Sequence, residues 1–132
     1  MIKEIIDYLK LFEGFKGKEI IIDYMPSQTG TFCLKSSKFD PVYRKFVDGG
    51  CIKQHKCTLC MREAYTFDNN LNSQNTKFLE DFIKWLEIQE KDKVYPENHN
   101  FFQVDAISGI YIVSNDVSTA EYAVDLRFLY KE

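Results

Sequence analysis

The sequence predicts an α+β fold: a mainly antiparallel sheet of about five strands with two helices packed on one face. Three observations predict the architecture. Two segments carry apolar residues at helical spacing. Two others alternate with the period of two that marks a half-buried strand. The order along the chain is helix, three strands, helix, two strands.

Each element has local grounds. Ile2, Ile5, Ile6, Leu9 and Phe12 form one stripe, so a first helix is expected over residues 2–13, with Gly14 as its C-cap glycine. KEIIIDYM, from Lys18 to Met25, is rich in β-branched and aromatic residues and stops at Pro26, so it reads as a strand buried on both faces or nearly so. After a turn from Pro26 to Gln28, residues 29–36 (TGTFCLKS) form a second strand. FDPVYRKFVDGG, residues 39–50, reads as a loop with one helical turn, closing on paired glycines. From Cys57 onward, Cys57, Leu59, Met61, Tyr65 and Phe67 are apolar while Thr58, Arg62 and Thr66 are polar, which makes 57–67 the third strand.

Phe78, Leu79, Phe82, Ile83 and Leu86, flanked by Trp85, give a second helix over about residues 76–90. FFQVDAISGIYIV, residues 101–113, is a strand whose Gly109 marks a bulge or a close backbone approach. A turn over Asn115 to Ser118 leads into the last strand, where Tyr122, Val124, Leu126, Phe128 and Tyr130 face one way and Glu121, Asp125 and Arg127 the other. The final two strands are expected to form an antiparallel hairpin.

At 132 residues the chain suits a single domain, 1–132, that buries a core without help from a metal or disulfide. Its net charge of -3 and scattered lysines offer no basic block, which excludes nucleic acid as a specific partner. No stretch approaches the ~20 apolar residues of a membrane helix. Glu4 and Asp7 break the uncharged run that a secretory signal needs, so a reducing cytoplasm with free thiols is expected.

The segment CIKQHKCTLC, residues 51–60, raises the question of zinc, because Cys57 and Cys60 have C-x2-C spacing and Cys33 and His55 are further candidate ligands. On a strand, however, Cys57 and Cys60 point to opposite faces and cannot chelate one ion. The thiols therefore read as structural, with a zinc module built on Cys33, Cys51, His55 and Cys57 or Cys60 as the alternative. A redox pair is weaker, since such a C-x-x-C opens a helix rather than a strand. His99, between Asn98 and Asn100, reads as solvated, and Glu80, Asp81 and Glu87 as the polar side of the second helix. GFKG at residues 14–17 lacks the length and the Lys-Ser/Thr ending of a phosphate loop. No catalytic constellation emerges, so the expectation is a non-enzymatic protein without cofactor.

The run VDGGCIKQHKCTLCMREAY (residues 47–65), the helix FLEDFIKWLEIQEK (78–91) and the terminal SGIYIVSNDVSTAEYAVDLRFLY (108–130) together resemble the small head-tail joining proteins of tailed phages and prophages, often labelled minor capsid proteins and similar to tail terminators. The resemblance implies an α+β subunit of which six copies form a ring on the head-proximal end of the tail tube. It implies that the ring stops tube growth, with the tail tube protein and the head connector or stopper as partners, in a particle assembled in the bacterial cytoplasm. A host-encoded binding domain and another neck component are the competing readings.

A closed ring needs two different adhesive patches per subunit. Two stretches can supply them: the aromatic segment holding Phe39, Val42, Tyr43, Phe46 and Val47, and residues 51–56, which continue strand three without a clear apolar face and so predict a projecting arm. The candidate interface residues are accordingly Phe39, Tyr43, Phe46, Lys53, Gln54 and His55.

Overall fold

Two long strands, β4 (Cys51–Ala64) and β7 (Thr119–Lys131), form the spine of the molecule and run antiparallel from Ile52 opposite Lys131 to Ala64 opposite Thr119. The computed structural model describes residues 1–65 and 69–131. Around the spine lie α1 (Ile2–Leu9), β1 (Ile20–Ile22), β2 (Thr31–Ser36), β3 (Val42–Lys45), α2 (Asn69–Lys91), β5 (Phe101–Ala106) and β6 (Tyr111–Asn115). The expected third strand therefore starts six residues early, at Cys51, and its predicted end at Thr66 and Phe67 lies outside the described residues.

The fold-class expectation needs correction: among the described residues the sheet has seven strands and is mixed, not a mainly antiparallel sheet of about five. The strand order is β1-β2-β4-β7-β5, with β3 also on β4 and β6 also on β7. β2 and β3 follow one another along one edge of β4, and β5 and β6 along one edge of β7. Sequence pattern sees runs of residues, not how many runs share a neighbour. β3 lies inside the segment expected to be loop, and the strand expected over 101–113 is broken at residues 107–110.

β1 pairs with β2 in parallel, Ile20 opposite Phe32. Parallel neighbours usually need a long crossover. Here β1 is only three residues long, so residues 23–30 have a short way back. They return across the face of the sheet away from the helices, where Met25 packs on Cys33, Cys60 and Ala123, and the Arg62 Nε donates to Pro26 O at 2.8 Å. This path takes Asp23 to Met25 out of the expected strand.

The main core lies on the other face. Ile5, Tyr8 and Leu9 of α1 and Leu79, Phe82 and Leu86 of α2 pack with Cys57, Leu59 and Met61 of β4 and with Tyr122, Val124, Leu126 and Phe128 of β7. Alternation along both strands makes this face continuous. α1 ends at Leu9, earlier than expected, and Gly14 is not its cap: it falls in a 3-10 turn, Glu13–Phe15, with Lys10 at the C-cap. What Gly14 does is leave room for rings, since a Cβ there would lie 2.5 Å from Phe12 Cε2 and 2.8 Å from Phe78 Cε2. α2 is longer than expected. Its buried Asn75 donates to Ala64 O at 2.6 Å and to the Tyr122 hydroxyl at 3.4 Å, anchoring the extra turns to the spine.

Candidate functional site

The sheet carries its chemistry away from the helices. Alternation that turns Leu126 and Val124 toward the core turns Glu121, Asp125 and Arg127 to the second face, beside Lys35, Thr58 and Arg62 from the neighbouring strands. Glu121 is 3% exposed and accepts from Lys35 Nζ at 2.6 Å and from Arg62 Nη2 at 3.4 Å. That hydrogen bond raises the Lys35 pKa. Asp125 accepts from Thr58 Oγ1 at 2.7 Å and from the Tyr111 hydroxyl at 2.9 Å. Burial, then the bond to Asp125, pushes the Tyr111 phenol up to about 12. Arg127 pairs with Asp105 at 2.8 Å and lies 5.1 Å from the Tyr43 ring centroid. Glu121 is thus paired with Lys35 and Arg62 and Asp105 with Arg127, while Asp125 is held by two hydroxyls.

Cys57 is in the helix-side core, whereas Cys33 and Cys60 face each other across β2 and β4 in the second cluster. The zinc set Cys33, Cys51, His55 and Cys57 or Cys60 is thus divided between two sides of the sheet. Among the described residues no group of three His, Cys, Asp or Glu side chains could hold a metal ion. Burial pushes the Cys57 and Cys60 thiols up to about 12 and raises Cys33 as well, which keeps all three protonated and poorly nucleophilic. His99 approaches Glu4 at 3.6 Å and lies in a run of left-handed residues, Asn98 to Asn100. Glu80, Asp81 and Glu87 are exposed on α2.

The six candidate interface residues fall into two groups, half-buried Phe39 with Lys53, Gln54 and His55 in one and exposed Tyr43 and Phe46 in the other. Lys53, Gln54 and His55 belong to no projecting arm, because all three are paired with β7, and Lys53 with β3 as well. Gln54 is buried, its Nε2 donating to Asp40 O at 2.7 Å and its backbone N–H to Pro41 O at 2.9 Å, which ties residues 37–41 to the sheet. His55 stands edge-on to Phe39 at 5.2 Å, its Nε2 buried without a hydrogen-bond partner, and burial lowers its pKa.

Tyr43 and Phe46 are different. β3 and the start of β4 form a hairpin whose turn, residues 46–50, is exposed throughout. Phe46 N–H donates to Gly50 O, and Gly49 has φ +93°, a conformation that only glycine adopts without strain. This turn carries Phe46 at 45% exposure and Val47 fully exposed, with Tyr43 on the strand behind.

Sequence reasoning missed a second apolar surface. β6 is exposed along its whole length and presents Tyr111, Ile112 and Val113. YIV reads as a buried strand, and only its place on the sheet, paired among the described residues with β7 alone, reveals otherwise. No helix among the described residues is long and apolar enough to cross a membrane. No family model matches the chain, and no curated protein matches it.

Proposed function

We propose that the protein is a non-enzymatic assembly subunit of a phage or phage-like particle, a ring-forming tail terminator that caps the tail tube, stops its growth and joins it to the head connector. The observation that carries this reading is the β3–β4 hairpin, whose turn offers Phe46 and Val47 to solvent from a base where Ile52 and Lys53 of β4 are paired with both β3 and β7. Large apolar side chains held out in this way favour a protein contact over a solvated turn. The resemblance in the sequence gives the contact its class: the tail tube or the head connector. The particle is assembled in the bacterial cytoplasm and contains no cofactor of this subunit.

The test is the double change Tyr43→Asp with Phe46→Asp. Circular dichroism should show the fold intact, since both positions are exposed, while complementation of tail assembly should fail, with tails of uncontrolled length or heads without tails. A variant that folds and fully complements would overturn the assignment of the hairpin. Light scattering and negative-stain imaging of the wild type, alone and with tube protein, test the ring itself: a protein that stays monomeric in both would overturn the terminator reading.

A further inference from the structure

We infer that the ring contact is strand pairing between the β6 edge of one copy and the β1 edge of the next, an inference that rests on the assembly reading above in taking the partner as a second copy of this chain. One row of paired residues crosses the whole sheet: Ile20, Phe32, Met61, Tyr122 and Ile112, from β1 to β6. A second runs Ile21, Cys33, Cys60, Ala123 and Tyr111. β1 and β6 therefore lie at one level, on opposite sides of the molecule.

Their directions also match. β1 runs with β2, β2 against β4, β4 against β7, and β7 against β6, so β6 runs opposite to β1. If a second copy is placed beside the first in the same orientation, its β1 meets β6 antiparallel, and the rows of one subunit continue into those of the next. Such a head-to-tail contact uses two different patches and can close into a ring. It needs no displacement along the strands.

The two edges are chemically suited to each other. In this register Ile112 of β6, 47% exposed, meets Ile20 of β1, and Ile22, also 47% exposed, lies level with Ile110 just before β6. The remaining edges are guarded. On β5 the Val104 N–H is taken by Glu90 Oε2 of α2 at 2.9 Å, and β3 carries Arg44 and Lys45, charges of the kind that deter edge pairing. β6 has neither device.

Cross-linking tests the register. The row of Ser114, Glu121, Arg62 and Thr31 leads at the far edge to Glu19, the residue before Ile20. In a Cys51→Ser background, where the remaining thiols are buried, Ser114→Cys and Glu19→Cys are joined with a short dimaleimide. Mixed single variants should give dimers only, and the double variant a ladder ending at the closed ring. Ile112→Lys should keep the wild-type melting temperature while raising the association midpoint by roughly tenfold or more. Oligomers by light scattering without these cross-links would overturn the β6–β1 contact and leave the assembly reading standing. A protein that is monomeric with and without tube protein would overturn both.

Discussion

Replacing Glu121 with Ala removes the shared acceptor of two cations on the second sheet face, and the structure sets the size of the effect. Breaking a buried ion pair by deleting one partner costs about 3–5 kcal/mol when the orphaned charge has nowhere to go. Two features reduce that figure here. The Lys35 side chain is 36% exposed and regains water, while Arg62 keeps Pro26 O at 2.8 Å and Thr119 Oγ1 at 3.2 Å. About 2–3 kcal/mol remains.

For a chain of this length each kcal/mol lowers the melting temperature by about 3–4 °C, so Glu121→Ala should melt about 6–12 °C below wild type. The Lys35 pKa is raised in the folded state, so its contribution is fully present below the unfolded lysine value and is lost only as pH rises through the higher folded one. The difference between the two proteins should therefore hold from about pH 6 to 9. Thermal melts by circular dichroism across that range measure it. The companion pair Lys35→Met with Glu121→Leu, which removes the Lys35–Glu121 pair and leaves Arg62 on Pro26 O and Thr119 Oγ1, should recover part of the loss. A single variant melting within about 2 °C of wild type would show that the cluster is solvated, not buried.

Burial lowers the His55 pKa, so the unfolded chain takes up the proton first as pH falls below about 6.5, and stability is lost there. His55→Gln should flatten the fall in melting temperature between about pH 7.5 and 5.5, and equal slopes in both proteins would refute this. Gly14→Ala should destabilise by about 1–3 kcal/mol, since the new methyl group meets the Phe12 and Phe78 rings; a gain in melting temperature, as for an ordinary helical glycine, would contradict the packing. Leu126→Asp puts a carboxylate in the fully buried row facing α1 and α2 and should unfold the subunit, so an unchanged melting curve would mean that the faces of β7 are reversed.

Alternation was legible in the sequence wherever one side of a strand is covered by helices. It marks β7 and the part of β4 from Cys57 onward because Cys57, Leu59 and Met61 meet the core while Thr58 and Arg62 do not. It fails for residues 51–56, where Gln54 is buried on the second face by residues 37–41 and His55 is half-buried beside Phe39. β3 was illegible for a related reason: three of its four residues are exposed, so VYRK has no buried period to display. The N-terminal turns of α2, NNLNSQN, contain poor helix formers, and a tertiary anchor at Asn75 outweighs propensity. Among site residues, Tyr43 and Phe46 stood out as too apolar for a loop. The β6 edge did not, because exposure of an edge depends on which strand lies beyond it.

The two proposed contact surfaces differ in position as well as in composition. The hairpin joins the spine at Val42 opposite Lys53, whereas the rows that end at β1 and β6 cross it at Cys60 and Met61. Eight residues of strand separate Lys53 from Met61, on the order of 25 Å. A belt of lateral pairing at one level and an apolar tip near the other end would let a subunit bind its neighbours and a third component at once. Each contact then raises the effective concentration for the other, so weak lateral pairing over the three residues of β1 suffices once subunits are held on a common template. The same separation makes the two functions dissociable. Ile112→Lys should weaken self-association by roughly tenfold or more while the hairpin still binds the tube or connector. Tyr43→Asp with Phe46→Asp should leave self-association intact and lose that binding. A single variant that abolished both while remaining folded would mean that tip and belt act as one surface, contrary to the distance between them.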